Sequence, residues 1–434
     1  MERDSSGTEM ERQIDELGID HVFVEFPDIN GISRSKQLSA EKFLSTWETG
    51  PTMNLAVLVQ TPRNEVPEGS GLAEEIGFAD GRLRPLPETF RPLPWRKNAA
   101  RVLCDLEYRG EPVAAAPRQV LNRLLDEHGL GIDLFVGSEL EFYLLEATDG
   151  GYAPVTDDKH ECVSWATEEV GPFYEALSKL GEQYGVPLES LQHEHGPGQL
   201  EVLFDYGDPL SQADRTFDFK RLVKQTARLS DRYATFMAKP FADESGSGYH
   251  LHVSGFEGEE NAFADGDTLS DMGQYFVGGL MEHAPALAAI GTPTLNGFKR
   301  YVPDGFVPCT ASWGYDNRQT AVRIPSGIVR VESRIGSADA NPYLVIAATL
   351  AAGIDGVRNE LEPGDPVEGN PAGQRTPLPR SPSQALAALE ADTALRELLG
   401  EDVIQAYLAS KRQELQSFWS TVTQWERDQY VETL

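Results

Sequence analysis

Lysine is scarce in this chain: ten of its 37 basic residues are lysine, against 69 acidic residues, and the net charge is −32. Acidic residues are spread along the chain rather than collected in a tail. A uniformly acidic, lysine-poor surface suits a protein in concentrated salt, where screening tolerates self-repulsion, so a halophilic source is expected. Such a field repels nucleic acid and anionic membrane surfaces, and neither is expected as a partner. Cysteine is nearly absent as well. Cys104, Cys162 and Cys309 are odd in number and far apart, which excludes a disulfide framework and shows no thiolate metal spacing. No run of eighteen apolar residues exists, so no membrane helix is expected, and the polar first 18 residues lack the apolar centre of a signal peptide. The expected location is the cytoplasm.

What is present is enough for a large core. The chain has 434 residues, 40% of them hydrophobic, which predicts two domains, one of them large. A helix over 9–17 is followed by a hairpin, 21–26 and 32–37, around the Asp28-Ile29-Asn30-Gly31 turn. Residues 50–94 are rich in glycine and proline and read as a long loop. A strand over 101–108 precedes a boundary near 112–117. Beyond it, helices are expected at 118–127, 170–184, 211–234 (capped by Ser211), 271–290, 341–358, 383–398 and 402–426. Strands are expected at 134–145 and within 193–204. Interleaved strands and helices mark an α+β or α/β layering. Residues 363–382 read as a surface loop.

Charged residues recur at every second position of the expected strands. Arg330, Glu332 and Arg334 alternate in IVRVESRI, Glu139 and Glu141 in SELEFYLL, and His250 and His252 in GYHLHVS; Glu201 opens EVLF. Alternation places each set on one face, with Glu139 and Glu141 about 7 Å apart. Two glutamates on an exposed strand are commonplace, but the apolar Phe142, Leu144 and Leu145 that follow point to burial. Buried carboxylates need cations. HEHGPGQLE adds Glu194 and Glu201, and four carboxylates with histidine suit Mg²⁺ or Mn²⁺. Five arginines (Arg300, Arg318, Arg323, Arg330 and Arg334) fall within 35 residues. Arginine grips carboxylates and phosphates bidentately, so the constellation suggests phosphoryl transfer from a nucleotide to an anionic acceptor. No Walker-type glycine loop is present.

In GSELEF, HEHGPGQLE, GSGYHLHVS, NGFKRYVP, NRQTAVRIP and VESRIGSADANPYL, taken in that order, the chain resembles the glutamine synthetase family. The resemblance implies an α+β protein with a small N-terminal β-grasp domain (1–112) and a large catalytic domain (113–434) built on a curved, barrel-like antiparallel sheet. It implies a ring-shaped homo-oligomer, a dodecamer of two hexamers, with sites between neighbouring subunits. Carried over by motif, Glu141, Glu194 and Glu201 match ligands of a first metal, and Glu139, His250 and Glu332 those of a second. Glu189, His252, Ser254, Arg323 and Arg330 match ATP-side positions. Gly246, Arg300, Arg318 and Arg334 match positions around glutamate and the transferred phosphate, with Arg300 and Arg318 in the catalytic role. The implied chemistry has two steps: the glutamate γ-carboxylate attacks the ATP γ-phosphate, and an amine then displaces phosphate from γ-glutamyl phosphate.

Several positions depart from the family pattern. The segment 301–308, where a glutamate that helps deprotonate ammonium should lie, is mostly apolar, with Asp304 as its acidic residue. No Asp-Gly-Ser motif falls between 50 and 80, Ser245 replaces an asparagine, Gly327 replaces a lysine, and no adenylylation segment falls near 363–380. The metal and ATP machinery reads as intact and the ammonium site as lost, which suits a larger amine. The stretch GLAEEIGFADGRLRPLPETFRPLPW also resembles the γ-glutamylpolyamine, or γ-glutamylputrescine, synthetase branch. Two other readings stay open: a glutamine synthetase using ammonium through Asp304 or the 50–80 stretch, and an inactive nucleotide-binding paralogue regulating nitrogen metabolism.

Overall fold

The structure is a computed structural model that describes residues 5–157, 159–302 and 306–434. It is an α+β fold with two main sheets. In the first, the strand His21–Pro27 lies parallel to the central strand Ala99–Tyr108 and antiparallel to its hairpin partner Ser33–Ser39. On the other side of the central strand run Asp80–Pro85 and Thr52–Asn54. The stretch expected to be a loop, 50–94, is therefore part of this sheet. Its prolines and glycines delimit short strands and single turns, a pattern too brief for periodicity to register.

The second sheet is strongly curled. Its order is Ser190–His193, Gln199–Gly207, Asp133–Thr148, Tyr249–Glu257, Val331–Ser333, Val322–Ile324 and Trp313–Tyr315, antiparallel except for the last pair. The residues of its outer face, including Leu140, Phe142, Val202, Leu251 and Val253, are buried. Phe142 meets Phe219 of the helix Pro209–Leu229 with ring centroids 6.2 Å apart, and Phe236 at 5.5 Å. Behind this layer the helix Pro342–Arg358, apolar nearly all round, is buried along almost its whole length. It crosses Asp271–Glu282 backbone to backbone: a Cβ on Gly356 would stand 2.1 Å from the Tyr275 carbonyl oxygen.

Several element boundaries differ from expectation. The helix expected over 211–234 is Pro209–Leu229, capped by Asp208, whose carboxylate accepts from the Ser211 amide. It stops because Ser230 and Asp231 (φ 53°) reverse the chain into the strand Tyr233–Thr235. The 271–290 helix divides at His283, 383–398 at Asp392, and 402–426 ends at Trp419. Residues 328–335 form a strand only at Val331–Ser333, with Ile328 75% exposed.

Candidate active site

Strand register builds the site. Glu139 pairs with His250 across one strand boundary, and Glu141 with Glu201 across the other. His252 pairs with Glu332, and Glu332 in turn with Arg323. Alternation then sends all seven side chains to the inner, concave face. The charge alternation read from the sequence thus resolves into one cluster drawn from five strands.

Buried charge dominates that cluster. Glu332, Glu201 and His250 are 1%, 4% and 7% exposed. Glu139 Oε2 lies 2.9 Å from His252 Nε2. His250 Nδ1 lies 3.6 Å from Glu139 Oε1 and 3.9 Å from Glu332 Oε1, and it is buried without a hydrogen-bond partner among the described residues. Burial opposes ionisation of both Glu139 and Glu201. At Glu139 the two histidines prevail and hold the carboxyl well below the usual range. At Glu201, burial and the charge of Glu139 push the carboxyl up to about 11. Glu194 is likewise raised by burial and by Glu141. Glu332 stays low despite burial because Arg334, then His250 and His252, stabilise its charge.

Two glutamines that sequence reading passed over hold these carboxylates in place. Gln192, opposite Glu201 in register, donates from Nε2 to Glu194 and Glu201, both at 2.8 Å. Gln199 donates to Glu141 at 2.8 Å and to the Gly246 carbonyl at 3.1 Å. For Gln199 a signal was available, since it lies two residues before Glu201 on the same strand; Gln192 lies on the neighbouring strand Ser190–His193, and only the register brings it to Glu201. Gly248 is required by space, because a Cβ there would lie 2.8 Å from His250 Nε2 and 3.0 Å from Glu141 Oε1.

The donor set fits hard divalent ions. Glu139, His250 and Glu201 offer ligand atoms within 4.8 Å of one another, as do Glu139, His252 and Glu332. The unpartnered His250 nitrogen is the kind of orphan that a metal satisfies. These groupings cut across the division expected from sequence, in which His252 stood on the nucleotide side and Glu201 apart from Glu139.

The arginines arrange themselves around Glu332. Arg334 Nη1 is 2.5 Å from its Oε1 and Arg323 Nη1 3.0 Å from its Oε2. Arg330 donates from Nε to His252 Nδ1 at 3.1 Å. Arg300, 4% exposed, donates to the Gly336 carbonyl at 3.0 Å. Gly246 is pressed against it: a Cβ there would stand 2.5 Å from Arg300 Cγ. The buried Nε atoms of Arg300, Arg323 and Arg334 have no hydrogen-bond partner among the described residues. Ser254 follows His252 on the same face, opposite Phe135. Glu189 and Arg318 are exposed, and among the described residues neither bonds to the cluster through its side chain. Asp304 lies outside the described residues.

Comparison with known proteins shows the family. The family model for the glutamine synthetase catalytic domain matches residues 114–430. The glutamine synthetase of Halobacterium salinarum is 35% identical over 96% of this chain and 95% of its own length. That of Thermotoga maritima is 34% identical over 97% and 98%. Two solved structures of GmaS, one without ligand and one with ADP, superpose with TM-scores of 0.86 and 0.87 at 31% and 30% identity. They cover 97% and 98% of this chain and 99% of their own. The chain belongs to the glutamine synthetase family and is a ligase that forms carbon–nitrogen bonds.

Proposed function

We propose that this ligase joins glutamate to an organic amine, such as the polyamine putrescine, at the expense of ATP and through γ-glutamyl phosphate. The observation that carries the reading is the concave face: a carboxylate–histidine cluster with an orphaned imidazole nitrogen, bordered by arginines with unspent donors. Glu141, Glu194 and Glu201 would hold one Mg²⁺ or Mn²⁺ and Glu139, His250 and Glu332 a second, with His252 close enough to exchange roles. When bound, the ions supply charge neutralisation between two anions. Arg323 and Arg330, with Glu189, His252 and Ser254, receive the nucleotide. Arg300, Arg318 and Arg334, with the Gly246 backbone, orient glutamate and stabilise the phosphate charge that develops in transfer.

The amine reading rests on what replaces the family's acidic residue. Val302 and Phe306 are 51% and 69% exposed. The Phe306 backbone carbonyl accepts from Arg334 Nη2 at 3.5 Å, which brings this stretch of chain to the glutamate-side arginine. An apolar wall favours an alkyl chain over NH₄⁺.

The rest of the reading follows the sequence: domains at 1–112 and 113–434, a dodecameric ring assembly and a cytoplasmic location. Among the described residues no helix is long and apolar enough to cross a membrane. The net charge of −32 with ten lysines, and the similarity to a Halobacterium enzyme, support adaptation to high salt. The test is phosphate release from ATP and glutamate in molar KCl with Mn²⁺ or Mg²⁺, comparing putrescine, spermidine, methylamine, ethylamine, ammonium and no amine. Turnover with an organic amine and little with ammonium is expected. Efficient turnover with ammonium alone overturns the amine assignment.

A further inference from the structure

One acidic side chain near the cluster is used by none of these roles. Glu244 lies in the 241–248 loop that leads into the strand Tyr249–Glu257. That loop is tied to the acceptor end of the site. The Ser245 carbonyl accepts from the Tyr143 hydroxyl at 2.7 Å, and Tyr143 follows Glu141 on the inner face. One residue further, the Gly246 carbonyl shares Gln199 with Glu141, and Gly246 packs on Arg300. Along the same face, His252 and Ser254 occupy the opposite direction, opposite Gly137 and Phe135. The Glu244 loop therefore stands at the end away from the proposed nucleotide positions.

The environment of its carboxylate is informative. Glu244 Oε2 is buried and makes no well-directed hydrogen bond, yet the Lys159 ammonium stands 3.1 Å away. Lys159 is nearly half exposed, in the loop after the strand Gly151–Pro154. Lysine is a primary ammonium at the end of a flexible four-carbon stem. It therefore shows the chemistry this carboxylate accepts, in a chain with only ten lysines. The other nearby ammonium, Lys239, is spent on the Glu244 main-chain carbonyl and leaves the carboxylate to Lys159.

We propose that Glu244 is the amine-recognising residue, receiving the ammonium group of an alkylamine substrate in the place that Lys159 now holds. The proposal deepens the glutamate–amine ligase reading and rests on it. It assigns recognition, with the alkyl chain running back toward solvent. Lys159 becomes an internal competitor that an incoming amine displaces.

The test compares Glu244→Gln and Lys159→Met with the unaltered protein. Hydroxylamine serves as the control nucleophile, because it is uncharged at neutral pH and needs no anion to receive it. Loss of a charge-assisted hydrogen bond in Glu244→Gln should raise KM for putrescine and ethylamine about tenfold or more. KM for ATP and glutamate should hold, and hydroxylamine turnover should fall much less. Lys159→Met should act in the opposite direction and lower KM for the same amines, which a structural role of the pair does not predict. Calorimetric titration of putrescine into each protein reads binding without turnover. Weakened binding in Glu244→Gln and tightened binding in Lys159→Met support the proposal even in a catalytically silent protein. Unchanged amine KM and binding in Glu244→Gln, an equal loss with hydroxylamine, or no putrescine binding by the unaltered protein overturns it. Failure of the ligase reading is separate: it shows as absence of amine-dependent phosphate release in the unaltered protein.

Discussion

Two of the buried charge clusters among the described residues differ in whether their valences are closed. In the seam between the first sheet and the helix Pro209–Leu229, Arg101 is fully buried and spends all three nitrogens. It pairs with Asp218, donates to the Thr89 carbonyl at 2.8 Å and reaches the Tyr184 hydroxyl at 3.3 Å. Tyr184 in turn donates to Asp218 at 3.0 Å, and Arg221 closes on Glu25 at 2.5 Å. On the concave face, by contrast, carboxylates crowd one another, and among the described residues His250, Arg300, Arg323 and Arg334 each keep a buried nitrogen unpaired. A closed network holds elements together. An open one is arranged for ligands that complete it.

The contrast breaks if either cluster responds to mutation as the other should. The largest effect is expected on the concave face. Glu332→Ala removes a buried carboxylate around which His250, Arg323 and Arg334 gather, and should lower phosphate release by about a thousandfold or more. Mn²⁺ should raise the melting temperature of the unaltered protein and leave that of this variant unchanged. Retention of both would place the metal site elsewhere.

In the closed seam the effect should fall on stability. Asp218→Ala leaves the Arg101 charge buried and unpaired, and should cost about 3–5 kcal/mol in urea unfolding. Turnover per folded molecule should stay within about twofold, since sites this distinct act additively. A collapse of kcat in the folded fraction would show that the seam positions the site.

Sequence alone could not separate these clusters. Arg101 and Arg300 look alike in a chain rich in arginine, and what distinguishes them is the partner set assembled across more than a hundred residues. Alternation did reveal Glu139 with Glu141 and His250 with His252, because a period of two is local. Register, which sets Glu139 against His250 and Glu332 against Arg323, is a long-range property. The role of Gln192 was hidden for the same reason. The 50–94 region failed differently: its strands are too short to carry a period, and neighbouring strands supply their hydrogen bonds.

A third, smaller cluster tests closure through pH. His283 donates from Nδ1 to Asp392 at 2.7 Å and from Nε2 to Asp355 at 3.0 Å, at the junction of helices Asp271–Glu282, Ala284–Gly291 and Pro342–Arg358. Burial lowers the affinity of this imidazole for its proton, but the two carboxylates prevail and raise it above the usual 6.5. A raised histidine stabilises the fold fully below the unfolded value and loses that contribution as pH rises through the folded one. Stability should therefore decline from about pH 6.5 upward. His283→Gln should flatten that slope and cost about 1–2 kcal/mol at pH 6, with little cost at high pH. An unchanged slope in urea titrations across that range would remove His283 as its source.

The smallest expected effect separates local reading from assembled structure most directly. The sequence pattern offers Ser211 as the cap of the helix ahead of the Glu25–Arg221 pair. In the fold, Asp208 takes that position, with Pro209 beginning the first turn and the Ser211 amide donating to the Asp208 carboxylate at 2.9 Å. Proline tolerates the first helical position because its missing N–H would have no partner there, so the helix starts earlier than the hydrophobic pattern suggests. Asp208→Ala should cost about 1 kcal/mol, whereas Ser211→Ala, which leaves the backbone amide in place, should cost about 0.5 kcal/mol or less. Equal costs would mean that the helix begins where the sequence alone put it, and that the Asp208 carboxylate contributes nothing to the seam this helix supports.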